Sequence, residues 1–97
     1  MIPGADFDVV MRVNGSWERI EPKGASYKVT EVQRLLSGYF ALVPLPGVAG
    51  WMLVDDDGMS KQLPPNQEAT AFARQHGRRK TITVLGDALV VRKSKLV

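Results

Sequence analysis

Apolar positions along this chain keep two rhythms, and the changes between them mark the elements. Residues 7–13 (FDVVMRV) are apolar and β-branched enough to read as a strand. Asn14-Gly15-Ser16 follows, and an Asn-Gly pair favours the positive φ of a tight turn. Residues 17–21 (WERIE) then alternate apolar and polar, so they pair back as a hairpin until Pro22 and Gly24 end the pattern. At Thr30-Glu31-Val32-Gln33 the period lengthens. Thr30 and Gln33 match a capping box, Val32, Leu35 and Leu36 share one face, and Gly38 stands where a helix takes its left-handed terminator. The spacing predicts a short helix over 31–37.

Residues 40–45 (FALVPL) read as a mostly apolar strand that Pro44 confines to an edge or a bulge. Residues 50–54 and 59–63 flank Asp55-Asp56-Asp57-Gly58, a pattern that predicts a hairpin with Gly58 at positive φ. Next comes LPPNQEATAFARQHG, residues 63–77. Pro64-Pro65 holds the strand exit extended, Asn66 is placed to cap a helix from Gln67, and Ala69, Phe72 and Ala73 form its apolar face. Gly77 closes the helix. Residues 81–85 (TITVL) and 88–92 (ALVVR) read as two more strands around Gly86-Asp87. The order is ββαβββαββ, an α+β fold with a small antiparallel or mixed sheet and two short helices in a single domain over 1–97. A small sheet with exposed edges often completes itself across a symmetry axis, so a homo-oligomer is expected.

Composition removes several chemistries. The chain has no cysteine, which excludes disulfides, thiolate metal sites and a cysteine nucleophile, and fits a reducing cytoplasm. Residues 1–10 lack the basic-then-apolar pattern of a signal peptide. The uncharged stretch 39–54 is broken by Pro44, Pro46, Gly47 and Gly50, so no membrane span is expected. The net charge of +3 is unevenly spread: residues 1–73 carry six basic and nine acidic side chains, whereas residues 74–97 carry seven basic ones and only Asp87 as an acid. A concentrated positive end attracts phosphate or an acidic partner, although solubilising charges look the same in sequence.

Residue by residue, catalytic chemistry is hard to assemble. Three consecutive aspartates, 55–57, lack the spaced ligands and late glutamate of a calcium loop and suit a solvated turn. The lone histidine, His76, ends the second helix, where a cation suits the dipole, and no motif ties it to a nucleophile. No phosphate-loop or dinucleotide fingerprint is present. No catalytic residue, metal site or cofactor is therefore expected. Binding is better provided for. Trp17 and Trp51 suit core packing or an aromatic wall, with Trp17, on a charged edge hairpin, the better placed for exposure. Arg78-Arg79-Lys80 form a cationic loop after the helix terminator, where arginine leans towards phosphate or carboxylate recognition. The helix start at Asn66 offers free N–H groups, with Arg74 or Arg78 near enough in sequence to close over a phosphate. The candidate ligand-binding residues are thus Asn66, Arg74, Arg78, Arg79, Lys80, Trp17 and Trp51.

One ordered set of pieces goes further: S-G-Y-F-A-L-V-P-L at 37–45, D-D-G at 56–58, L-P-P-N-Q-E-A at 63–69, and L-G-D-A-L-V-V at 85–91. Over about 28–92 the chain resembles a small family of bacteriophage, plasmid and bacterial proteins that is defined only as a domain of unknown function. The basic segment 73–80 is longer than that pattern. The resemblance implies a mobile-element origin and a cytoplasmic setting in the infected host, and it brings no established activity. Small phage proteins of this kind often counter host defence by binding. The expectation is a non-enzymatic anti-defence protein that sequesters a nucleotide-type immune signal or blocks a host defence protein. Mimicry of nucleic acid is disfavoured by the basic charge, and the rival, carried by two tryptophans and a short basic run, is a nucleic-acid-binding accessory protein.

Overall fold

Asp8–Met11 (β1) is buried along its whole length, and the reason lies in what flanks it. The computed structural model describes residues 1–96. β1 pairs on one side with Trp17–Ile20 (β2) and on the other with Ala88–Arg92 (β5), while Gly50–Asp55 (β4) joins β5 to Phe40–Leu45 (β3). The result is one antiparallel sheet in the order β2-β1-β5-β4-β3, with α1 (Val29–Leu36) and α2 (Gln67–His76). The fold is α+β, as the pattern predicts.

Strand alternation sends side chains to both faces of the sheet, and each face has its own core. Val9, Met11, Met52, Ala88 and Val90 pack against Ala69, Phe72 and Ala73 of α2, with Ile82 and Val84 filling in beside them. Val10, Leu53, Leu89 and Val91 pack against Val32 and Leu36 of α1 and the ring of Tyr27. A helix therefore lies on each side of the sheet. That explains why β5 reads ALVVR rather than alternating with polar residues: both of its faces are covered.

Turns fix the register. Arg12 N–H donates to Ser16 O and Gly15 N–H to Arg12 O, both at 2.9 Å, with Gly15 taking the positive φ of 89°. α1 starts earlier than its capping-box reading. Its cap is Lys28, whose N–H donates to Glu31 Oε1 at 3.1 Å, while the other oxygen takes Lys23 N–H at 3.1 Å. These bonds favour the ionised form and hold the Glu31 carboxyl below its ordinary range. The left-handed terminator of α1 is Ser37, φ 61°, and Gly38 follows it.

Two expected strands are absent. Residues 59–63 form turns: the Asp55 side chain accepts Asp57 N–H at 2.7 Å and pairs with Lys61 Nζ at 2.8 Å, and Leu63 N–H reaches Gly58 O at 2.9 Å. That local carboxylate chemistry rolls the chain up instead of letting it pair. Residues 81–85 run beside α2 in extended form without joining the sheet. Val84 N–H donates to Thr70 Oγ1 at 2.9 Å, Val84 O accepts Asn66 N–H at 2.8 Å, and one isolated bridge links Pro65 to Leu85. The apolar side chains fit the cluster on the α2 face, and the backbone finds its partners locally.

Candidate anion-binding hollow

The sheet ends on one side at the β3–β4 turn, and α2 ends beside it. Gly47 N–H donates to His76 O at 2.9 Å, and a Cβ on Gly47 would come within 3.1 Å of the His76 backbone, so the turn sits directly on the helix end. The chain leaving α2 must then pass the mouth of the turn. This brings Arg78 beside Pro44, Pro46 and Trp51, and Lys93, just after β5, reaches the same place. Together they line an open hollow of about 360 Å³.

Trp51 is half-buried, one side on the α1-face core and the other lining the hollow. Arg78 and Lys93 are exposed, and neither makes a side-chain hydrogen bond or ion pair among the described residues. A helix C-terminus ordinarily repels anions. Here several of its last carbonyls have partners: Lys80 Nζ donates to Arg74 O at 2.8 Å and Gly77 O at 3.2 Å, and Gly47 N–H donates to His76 O at 2.9 Å. Arg78 and Lys93 are the two charged side chains in the lining of the hollow. A flat ring stacked on Trp51 with a phosphate or carboxylate between the two cations fits this lining.

The other candidate residues are placed elsewhere. Asn66 is wholly buried: Oδ1 accepts Ala69 N–H at 3.0 Å, and Nδ2 donates to Met11 O and Gly86 O, both at 2.9 Å. It caps α2 as read, and both ends of its amide are occupied within the protein. Arg74 leans on the 81–85 segment, Nε to Ile82 O at 2.8 Å, and lines a separate shallow groove with Thr70 and Thr83. Lys80 is spent on the helix end. Arg79 is exposed and lies outside the lining of the hollow. Trp17 is 45% exposed on β2, at the far edge of the sheet, edge-on to Phe72 with ring centroids 6.3 Å apart. Trp51 and Arg78 are therefore the two candidates that meet. Lys93 completes them, and the only sequence signal for it was membership of the basic C-terminal quarter.

A second polar constellation escaped the sequence reading. Asp8 is fully buried, yet it accepts Tyr27 Oη–H at 2.8 Å, Arg92 N–H at 2.8 Å and Arg92 Nε–H at 2.9 Å; Arg92 also reaches Glu21 at 3.2 Å. Burial first, and the carboxylate second, push the Tyr27 phenol far above its ordinary range; the bond to Asp8 raises the Arg92 guanidinium. The group ties β1, β5 and the start of α1 together, and two of its members, Tyr27 and Glu21, also line a separate hollow of about 210 Å³ with Ile20 and Leu35. His76 tilts against Phe72, centroids 4.5 Å apart, and no group of three or more His, Asp or Glu able to hold a metal occurs among the described residues. None of the helices described is long and apolar enough to cross a membrane.

In comparisons with known proteins, no family model matches the chain, and no curated protein or solved structure does either.

Proposed function

We propose that this chain is a non-catalytic binding protein that holds a nucleotide-type anion in the hollow between Trp51, Arg78 and Lys93. The observation that carries the reading is the meeting of one aromatic wall with two exposed cations free of partners among the described residues, beside a helix end where Lys80 already bonds two carbonyls. Stacking on tryptophan recognises a planar base, and arginine recognises phosphate. The resemblance to mobile-element proteins supplies the setting: a nucleotide immune signal of the infected host, removed by sequestration. The longer basic segment 73–80 fits this reading, because it is the segment that carries Arg78 to the hollow.

Calorimetric titration with mononucleotides and cyclic dinucleotides tests the proposal, with fluorescence quenching of Trp51 followed in a Trp17→Phe background. One nucleotide class should bind, and Arg78→Glu and Lys93→Glu should each weaken it about tenfold or more, the loss expected for a charged hydrogen bond. If no nucleotide binds, or binding survives both changes, the reading fails. Affinity for DNA or RNA that falls steeply with salt would instead favour the nucleic-acid rival.

A further inference from the structure

β2 and β3 are the two sheet edges, and they are built differently. β2 (WERI) carries Glu18, paired with Arg12 at 3.1 Å, and Arg19, which lies over the Phe7 ring at 4.7 Å. Charged side chains on an edge discourage another strand from pairing there. β3 (FALVPL) has none. Leu42 is 50% exposed and Tyr39, just before the strand, is 73% exposed.

The backbone of β3 shows which groups are left over. Phe40 lies opposite Asp55, and the adjacent bond runs from Asp56 N–H to Tyr39 O at 3.1 Å, so Phe40 is in a non-hydrogen-bonded pair. The roles alternate along an antiparallel ladder. Residues 41 and 43 thus spend their N–H and C=O on β4, while Phe40 and Leu42 turn theirs outward. Pro44 is the next outward position, and it has no N–H to leave unsatisfied. Among the described residues, no strand pairs with this outer side.

We infer that β3 docks antiparallel on the β3 of a second copy of this chain, about a two-fold axis at Ala41. A second strand presents N–H and C=O groups at the matching spacing, and the pattern is self-complementary. Phe40 opposite the second copy's Leu42, and Leu42 opposite its Phe40, use all four outward groups on each copy. Pro44 then falls just outside the ladder. On the α1 face this register seals half-exposed Leu42 against a phenyl ring, a favourable cross-strand pair. On the axis the two Ala41 residues meet in a non-hydrogen-bonded pair, where Cα atoms approach to about 4.5 Å and a small side chain fits. No like charges meet, because the strand has no charge.

Analytical ultracentrifugation of the wild type and Leu42→Lys tests the interface. The wild type should sediment as a dimer in the micromolar range, and Leu42→Lys as a monomer with an unchanged circular dichroism spectrum. A second arm does not depend on how the lysine variant folds. The chain has no cysteine, so Ala41→Cys introduces a single thiol on the proposed axis, within disulfide reach of its counterpart. Under mild oxidant it should form a covalent dimer about tenfold or more faster than Met59→Cys, an exposed site elsewhere, because docking raises its effective concentration. A monomeric wild type, a dimer that survives Leu42→Lys, or equal cross-linking rates would overturn the inference.

Discussion

Asn66 does three things with one amide: it caps α2, and it clamps the carbonyls of Met11 and Gly86. Asn66→Ala removes the cap and strands two buried carbonyls, so it should cost about 2–4 kcal/mol in denaturant unfolding, more than a helix cap alone. Asn66→Asp keeps the cap acceptor but aims an anion at those carbonyls, and should be at least as damaging. The Pro-Pro-Asn motif made the cap legible in the sequence. The carbonyl clamp was not legible, because Met11 and Gly86 are brought there only by the sheet. Asp8 was less legible still. An acid at the start of an apolar run resembles a strand end, and its partners Tyr27 and Arg92 are 19 and 84 residues away. Tyr27 gives it a pH signature. The folded phenol holds its proton more tightly than the unfolded one, whose ordinary value is 10.0. Its contribution is complete below pH 10.0, and is lost as pH rises above that value and the unfolded phenol ionises. Thermal melts of the wild type should show an alkaline drop that Tyr27→Phe lacks, at the cost of roughly 1 kcal/mol at neutral pH for the lost hydrogen bond.

At the scale of elements, strands with both neighbours in the sheet were readable and the extended pieces around α2 were misleading. Residues 81–85 have the composition of a strand, and they do bury Ile82 and Val84 as a strand would. Composition reports burial and extension, however, not which backbone groups pair. The Thr70 hydroxyl takes the Val84 N–H that a neighbouring strand would have taken. Thr70→Val keeps the shape and removes that acceptor. It should cost about 1–2 kcal/mol and speed hydrogen exchange of the Val84 amide, readable by NMR. The acidic turn failed as a hairpin for the opposite reason: Asp55 satisfies both a backbone N–H and Lys61, and so holds a rolled conformation against a sheet ladder. The readings of Pro44 as an edge marker and of Phe72 with Ala69 and Ala73 as a buried face rested on backbone chemistry and period alone, and both describe the molecule.

For the whole molecule, the basic C-terminal quarter is less of a unit than its composition suggests. Arg92 is drawn inward by Asp8 and Glu21, Arg74 by the Ile82 carbonyl, and Lys80 by the end of α2. Arg78 and Lys93 are the two members of the quarter that meet at one corner, beside the β3–β4 turn, while Arg79 stays exposed outside that hollow. The sheet order carries a different consequence. β1–β2 and β3–β4 are both local hairpins, but no strand of one pairs with a strand of the other; β5 lies between them and follows both in the chain. Two hairpins standing alone are marginal in water. The sheet is therefore assembled by its middle, through closures that join Val9 to Val90 and Met52 to Val90, and the long loop they span must be ordered before either hairpin gains lasting support. Such a chain is expected to fold slowly for its size. Until β5 is seated, it leaves the inner edges of β1 and β4 bare, which makes the unfinished protein far more adhesive than the finished one.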